Sequence, residues 1–570
     1  MRNVGEELAA SHQQREVHAP EAEVGRWGRA VPWGMQLALP GILVLVVFTC
    51  FLPTLGNDFV AWDDDLNFTE NPNYRGLSWS NLRWMLTTVH GGHYQPLSWM
   101  TLGLDYVVWG MNPTGYHLTN LLLHAANAVA FYLVVAALLR RLSPSGSGMP
   151  AAAAVGALLF AIHPLRVEAV AWASERRDVL SGFFYLIAVL AYLRMQNGAR
   201  GRWLAVSLGS FVLSLLSEAW GITLPVVLLA LDLYPLRRGL RARVLLEKAP
   251  YGLIALAFAV LAFRAQAPIE AMRTLAQHGV IARVAQAAYG LWFYLGKTLV
   301  PVGLSPLYLL ELQLDPMRPR YVLAILGVVG LTAGLVLLRH RAPGLLAAWV
   351  CYAVIVSPVL GFVQTGPQIA ADRYTYLACL PWAVLLAGGV RALARGREAG
   401  RLRLGTWYVP MAAVVMTLAV LGALTFAQTR IWRDSRTLWE YVLRIDPTNY
   451  VAYTNRGIVR YAAGDKRGAL ADYNSALAIH PGYALAYYDR GSARHALGDV
   501  DGAITDLSFS IQLNPRDPRA WNNRGWAREA KGDLAGALAD YAEALRRAPA
   551  DFPGRGKIEE NRAAMQALGG

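Results

Sequence analysis

Three consecutive carboxylates, Asp63-Asp64-Asp65, follow the first long apolar run of the chain. Charge is costly beside lipid, so an acidic cluster at a membrane exit marks either a solvated turn or a working site. The chemistry it offers is general base catalysis. A carboxylate within hydrogen-bond reach takes the proton of an attacking hydroxyl while a neighbour orients it or binds a cation. A second dense cluster is His163-Pro-Leu-Arg166-Val-Glu168, continuing to Glu175-Arg176-Arg177-Asp178 at the start of another apolar run. Arg166 and Glu168 are too close in sequence to share a helical face, so they line a loop or a helix lying along the membrane. Guanidinium groups form paired hydrogen bonds with phosphate oxygens, which makes this segment a candidate phosphate grip. The simpler alternative is interfacial anchoring with mutual ion pairing. Arg373, inside Asp372-Arg373-Tyr374-Thr375-Tyr376, is a further phosphate candidate.

Polar residues also gather at Gly92-His93-Tyr94-Gln95-Pro96 and at Tyr116-His117. His117, Asn120 and His124 share one helical face by their spacing. Two histidines invite a metal, but no third ligand stands at a usual zinc spacing, so a polar face inside a bundle is expected. No phosphate-cradling glycine loop, nucleophile elbow or HExxH motif occurs, so soluble nucleotide chemistry is not indicated and a substrate delivered within the membrane fits better.

The elements that must position these residues are membrane helices. The chain has 570 residues, 55% of them hydrophobic. Apolar runs about 20 residues long recur, each able to cross a bilayer core. Candidate spans lie near 35–55, 116–139, 151–164, 179–195, 203–217, 221–236, 250–266, 321–338, 344–363, 375–392 and 406–427, about eleven in all. The net charge of +14 sits in short clusters between runs, at Arg140-Arg141, Arg194 to Arg202, Arg237 to Lys248, Arg339 to Arg341 and Arg391 to Arg403. With all of these cytoplasmic, the positive-inside rule is met at each. Residues 284–300 are apolar enough to span, yet counting them would put Arg341 outside. The stretch 267–320 is therefore expected to be an external loop holding a re-entrant or interfacial helix. The loops near 56–115, 164–178, 267–320 and 364–374 then share one face with the carboxy-terminal tail. Residues 1–33 are expected to be a cytoplasmic tail. Cys50, Cys351 and Cys379 lie in or beside apolar runs and suggest no disulfide framework.

From about residue 431 the composition changes. Gly457, Gly491 and Gly525 recur in phase, as do Ala469, Ala503 and Ala537, and Pro481, Pro515 and Pro549. The shared period of 34 is the tetratricopeptide (TPR) pattern of paired helices, with repeats near 450–483, 484–517 and 518–551. Trp439 to Pro447 fits the second helix of a partial earlier unit. Arg456, Arg490 and Arg524 recur with Asp472, Asp506 and Asp540. These read first as scaffold ion pairs, second as part of a peptide-gripping groove. The expected fold is all-α, a transmembrane bundle over 34–430 followed by a TPR α-solenoid over 431–570.

Trp62-Asp63-Asp64, Gln95-Pro-Leu97, Gly115-Tyr-His-Leu-Thr-Asn120, His163 to Trp172, Ser174 to Asp178 and Asp372 to Tyr376 together resemble the transmembrane-and-TPR-containing (TMTC) O-mannosyltransferases and their bacterial relatives. The resemblance runs from about 36 to 550. It implies a GT-C glycosyltransferase that takes a sugar, such as a mannose-type hexose, from a polyprenyl-phosphate carrier. The acceptor would be a hydroxyl, Ser or Thr of a protein recruited by the TPR arm. Asp63 and Asp64 would supply the catalytic base, and Arg166, Arg176, Arg177 and Arg373 the phosphate grip. His93, Gln95, His117, Asn120, His163, Glu168, Glu175, Asp178 and Tyr374 are the candidates for the substrate pocket. Reaction would invert the sugar carbon in a single displacement. No metal or cofactor beyond the lipid-linked donor is indicated, and nucleic acid is not an expected partner. The Arg- and Ala-rich composition looks bacterial, which implies an inner-membrane protein with a periplasmic arm and an undecaprenyl-type carrier. Relatives carry Lys after the Ser of the connection where this chain has Ser217-Glu218-Ala219-Trp220, so no role passes to Glu218. The competing readings are a membrane-anchored TPR scaffold for envelope assembly and a glycan polymerase or ligase using a lipid diphosphate.

Overall fold

The computed structural model describes residues 33–142, 148–196, 198–266, 274–275, 277–363, 366–401, 404–549, 552 and 554–569. The tail expected over 1–33 falls, apart from Trp33, outside them, as do residues 267–273 and 276 of the expected external loop. Among the described residues the fold is all-α, save for a two-stranded antiparallel ribbon pairing Tyr308–Leu309 with Gln368–Ala370.

Every expected span is helical. Among the described residues six helices are long and apolar enough to cross a membrane: Ala38–Gly56, Pro113–Leu142, Ala173–Met195, Ala242–Gln266, Pro319–Leu337 and Thr406–Trp432. Met149–Ala161 and Pro164–Ala171 form a pair bent by 57° that would make a seventh. The bend falls at His163-Pro164, where proline can start a helix but not continue one. The remaining expected spans are the shorter apolar helices Ala219–Leu233 and Pro343–Val359, and the helices Arg200–Ser217 and Leu380–Glu398, which fall outside the six. Six or seven of the about eleven expected spans thus pass by length and composition alone, and the shorter helices stand at the others, roughly compatible with the expected count. Val280–Leu299 is a helix with Ala285, Ala288 and Tyr294 buried and Val280, Ile281 and Val284 exposed. It also falls outside the six.

Pro96, Pro113, Pro319 and Pro343 each open a helix, where a missing N–H costs nothing. The bundle core is formed by Pro113–Leu142, Met149–Ala161 and Arg176–Met195. Gly156 lets Met149–Ala161 lie close to Leu380–Glu398, since a Cβ there would sit 2.9 Å from the Ala383 carbonyl oxygen.

The helix carrying Arg177 runs to Tyr192, about 22 Å further on. There a buried network joins Tyr192, Asp232, Arg238 and Lys248. The basic segment 237–248 therefore lies at the end of the bundle opposite Arg177.

The last membrane helix passes at once into Ser435–Ile445 and then three helix pairs, from Tyr450–Ala462 to Leu534–Arg547. Gly464, Gly498 and Gly532 leave the first helix of each pair in left-handed turns, at φ of 86°, 88° and 85°. Asp465, Asp499 and Asp533 then cap the second helices, each accepting an N–H at 2.9 Å. The recurring arginines pair inside each repeat: Arg456 with Asp472, Arg490 with Asp506 and Arg524 with Asp540, each through two hydrogen bonds of 2.6–3.0 Å. The scaffold role accounts for these pairs.

Candidate functional site

The three carboxylates do different things. Asp64 is wholly buried. Its Oδ2 accepts the Val60 N–H at 2.9 Å, and its Oδ1 accepts the N–H and the hydroxyl of Ser174 at 3.0 and 2.5 Å. Asp64 thereby staples the first loop to the turn Ala173–Glu175. Burial pushes its pKa up to about 7 against those three hydrogen bonds. Asp65 accepts the N–H of Leu66 and closes a local turn. Asp63 instead faces a cavity of about 440 Å³. Burial raises its pKa, opposed by the nearby positive charge of Arg177.

Residues distant in sequence complete the cavity wall. His93, Glu175, Arg177, Asp178, Arg373 and Tyr374 line it, and so do Trp62, Trp172, Glu218, Trp220 and Gln368. The two guanidinium groups are held by carboxylates. Arg177 bonds Glu175 at 2.8 and 3.1 Å and lies 3.5 Å from Glu218. Arg373 pairs with Glu168, lies 3.2 Å from Glu175 and rests 5.4 Å above the Trp172 ring. Burial alone would raise the Glu218 carboxyl, but His93 at 3.7 Å and Arg177 hold it down at about 2. One Asp178 oxygen is shut from water without a hydrogen-bond partner.

The remaining residues expected at the site lie elsewhere. Arg166 does not line the cavity. It donates to Thr375 Oγ1 at 2.6 Å and to Cys379, and packs on Phe160 and Tyr376. Arg176 turns into the bundle, bonding Asn120, Asp105 at 2.6 Å and the Tyr116 carbonyl at 2.9 Å. Consecutive helical residues point about 100° apart, so Arg176 and Arg177 cannot share a target. Asn120 is thus a support for Arg176, and it also donates to the Trp172 carbonyl. His117 and Gln95 are buried away from the cavity. His163 spans a helix break, with Nε2 3.0 Å from the Thr298 carbonyl oxygen. His124 lies 2.8 Å from both the Tyr376 hydroxyl and the Ala161 carbonyl. Glu168 stands behind Arg373 as its anchor. Among the described residues no three His, Cys, Asp or Glu side chains are arranged to hold a metal ion.

Glu218, Trp62, Trp172, Trp220 and Gln368 were not expected in the site. Glu218 carried a usable signal, a lone carboxylate between two apolar runs. The tryptophans form a stack: Trp62 on Trp172 with ring centroids 4.8 Å apart, Trp172 on Trp432 at 5.5 Å, and Trp62 against Trp439 at 5.2 Å. The stack joins the Asp63 loop, the Glu175 turn, the last membrane helix and the first arm helix. Backbone bonds reinforce it, from the Asp58 N–H to the Arg433 carbonyl at 2.8 Å and from the Ala61 N–H to Ser435 Oγ at 2.7 Å.

Fold and site together define an all-α membrane protein with a polar cavity at one end of its bundle and a TPR solenoid packed beside it. A tetratricopeptide repeat family model matches residues 454–508 and 488–552. The chain is 34% identical over 152 residues to Protein O-mannosyl-transferase tmtc2 of Xenopus laevis, covering 25% of this chain and 17% of that protein. It is 33% identical over 160 residues to Protein O-mannosyl-transferase Tmtc3 of Drosophila melanogaster, with the same coverage of each. It is 29% identical over 199 residues to Protein O-mannosyl-transferase TMTC4 of Homo sapiens, covering 31% and 27%. The chain thus spans 17–27% of the length of these relatives. Among solved structures, one of MamA protein is 21% identical, covering 23% of this chain and 70% of that chain at a TM-score of 0.21, a likeness too slight to define anything. The chain is thus similar to the TMTC O-mannosyl-transferases over part of its length and carries a TPR domain.

Proposed function

We propose that this chain is a GT-C-type membrane glycosyltransferase that moves a hexose, mannose by analogy with the names of its relatives, from a polyprenyl-phosphate carrier to a Ser or Thr hydroxyl of a protein held by the TPR arm. One observation carries the reading: Asp63, Arg177 and Arg373 line one cavity at a membrane boundary. Asp63 takes the proton of the acceptor hydroxyl as its oxygen attacks the anomeric carbon. The carbon–oxygen bond to phosphate breaks, and its electron pair leaves with the phosphate. A single displacement inverts the sugar carbon. Arg177 and Arg373, fixed beforehand by Glu175, Glu168 and Glu218, stabilise the charge that grows on the departing phosphate. Asp64 is a positioning residue that sets the Asp63 loop against the Glu175 turn.

The charge balance supports one class of donor over another. Asp63, Glu175, Asp178 and Glu218 face the cavity, against Arg177 and Arg373. Such an excess of carboxylates favours a singly charged phosphodiester over a lipid diphosphate. The basic segment at the opposite end of the bundle supports an orientation with that end cytoplasmic and the cavity and arm outside, at a bacterial inner membrane. The test is transfer by the purified chain in lipid nanodiscs, with radiolabelled polyprenyl-phosphate mannose or a polyprenyl-diphosphate sugar as donor. Mass spectrometry of envelope proteins from cells with and without the chain accompanies it. Transfer from the phosphate donor, and a hexose lost from Ser or Thr when the chain is absent, are expected. An unchanged set of glycosylated proteins and glycans would sink the reading.

A further inference from the structure

The TPR arm holds a second cavity, of about 220 Å³, lined mainly by Tyr461, Tyr473, Tyr488, Asp489, His495 and Trp526. Its walls come chiefly from the first helices of three successive repeats, Tyr450–Ala462, Ala484–Ala496 and Pro518–Lys531, which stack to form one face of the solenoid. Asp489 stands in this wall. One of its carboxylate oxygens is closed off from water without a hydrogen-bond partner, and Asp489 forms no ion pair among the described residues. Arg519, the guanidinium nearest in effect, is committed to Asp517 through bonds of 2.8–3.2 Å and lies 5.1 Å from the centroid of the Tyr488 ring. Burial pushes Asp489 up to about 7.

The repeat itself shows what is unusual. One period before and after Asp489 stand Asn455 and Asn523. Both amides are engaged: Asn455 donates to the Val451 carbonyl, and Asn523 to the Tyr488 and Ser492 hydroxyls. The scaffold is therefore built with a neutral amide at this position, and the middle repeat exchanges it for an acid that forms no ion pair among the described residues, Arg519 acting on it only from a distance. A buried carboxylate without a partner is unfavourable unless a cation meets it. Aromatic rings around it add a cation–π surface, with Trp526 half exposed at the rim and His495 4.3 Å from it.

We infer that the middle repeat of the arm is a pocket for a basic side chain, lysyl or arginyl, of the polypeptide that docks there. The occupant's charge pairs with Asp489 and its alkyl stem lies between the rings. This deepens the acceptor-docking part of the proposed function and rests on it. Binding is read without donor, so its failure leaves sugar transfer standing, and an inactive transferase leaves the binding readable.

The test uses the full chain in nanodiscs and fluorescein-labelled short Ser/Thr peptides that differ at one central position, lysine, arginine, glutamine or glutamate. Fluorescence anisotropy is expected to give lysine or arginine peptides an affinity about tenfold above the glutamine peptide. Asp489→Asn should erase that preference. Its folding is secured by the asparagines already at 455 and 523, and its unfolding temperature checks this. Equal affinity for basic and neutral peptides, binding of none of them, or a preference that survives Asp489→Asn would each overturn the inference.

Discussion

Asp63 and Asp64 are adjacent, yet one faces the cavity and the other is sealed behind it by Val60 and Ser174. Their isosteric substitutions should therefore fail differently. Asp63→Asn removes the proposed base and should lower transfer by roughly a hundredfold or more, with the unfolding temperature unchanged. Asp64→Asn turns an amide donor against a backbone N–H and should cost about 1–3 kcal/mol of stability. It would be read first as a lower unfolding temperature and only then as lost transfer. The pH profile follows from the same surroundings. Only ionised Asp63 can take a proton, and burial raises its pKa. The rate should accordingly fall on acidification along a limb lying above the ordinary carboxylate value of about 4. Glu218, held at about 2, stays charged across that limb and does not contribute to it. A profile flat down to the ordinary value would remove Asp63 from the role.

At the scale of elements, the repeats were legible because three copies agree on glycine, alanine and proline at one period, and each such residue answers a packing or turn requirement. A Cβ at Gly491 would lie 2.8 Å from the Leu507 side chain. The long apolar helices were legible for the same reason: composition over about 20 residues outweighs any single position. Which arginine faces the substrate was not. Arg166, Arg176, Arg177 and Arg373 look alike in sequence, and their targets depend on a helix break at Pro164 and on one step of helical rotation. The structure separates the cavity-facing Arg177 and Arg373 from Arg166 and Arg176, whose partners are internal. In the arm, Arg490→Ala would strand the buried Asp506, but Arg494 also reaches it at 2.9 Å. The loss should be about 1–3 kcal/mol rather than that of an abandoned buried charge. Thermal unfolding of the arm would measure it, and Arg490→Ala combined with Arg494→Ala should cost more than the two single changes added.

At the scale of the whole molecule, the arm is continuous with the site. Trp439 belongs to the arm, Trp62 to the loop of Asp63, and the two rings meet. Trp439→Ala should open a cavity worth about 3–5 kcal/mol. Transfer should fall together with the protease resistance of the junction near 433–435, although residue 439 is outside the cavity. Normal transfer with a loosened junction would show that the two modules work independently. The sequence placed Trp439 in a partial repeat unit beside the last span, but not against Trp62, since an aromatic residue in a repeat helix reads as ordinary core. Only the three-dimensional return of the chain brings residues 62, 172, 432 and 439 together.

The same junction has a geometric consequence. Only Arg433 and Asp434 separate Trp432 from the first arm helix, with Trp432 stacked on Trp172 on one side and Trp439 tilted against Trp62 on the other. Held at this junction, the arm would act in the proposed reaction as a ruler. A polypeptide seated at the middle repeat would present to Asp63 those hydroxyls that lie a set number of residues from its anchoring side chain. Modified positions in an acceptor would then follow spacing along its chain more closely than the residues immediately around each Ser or Thr.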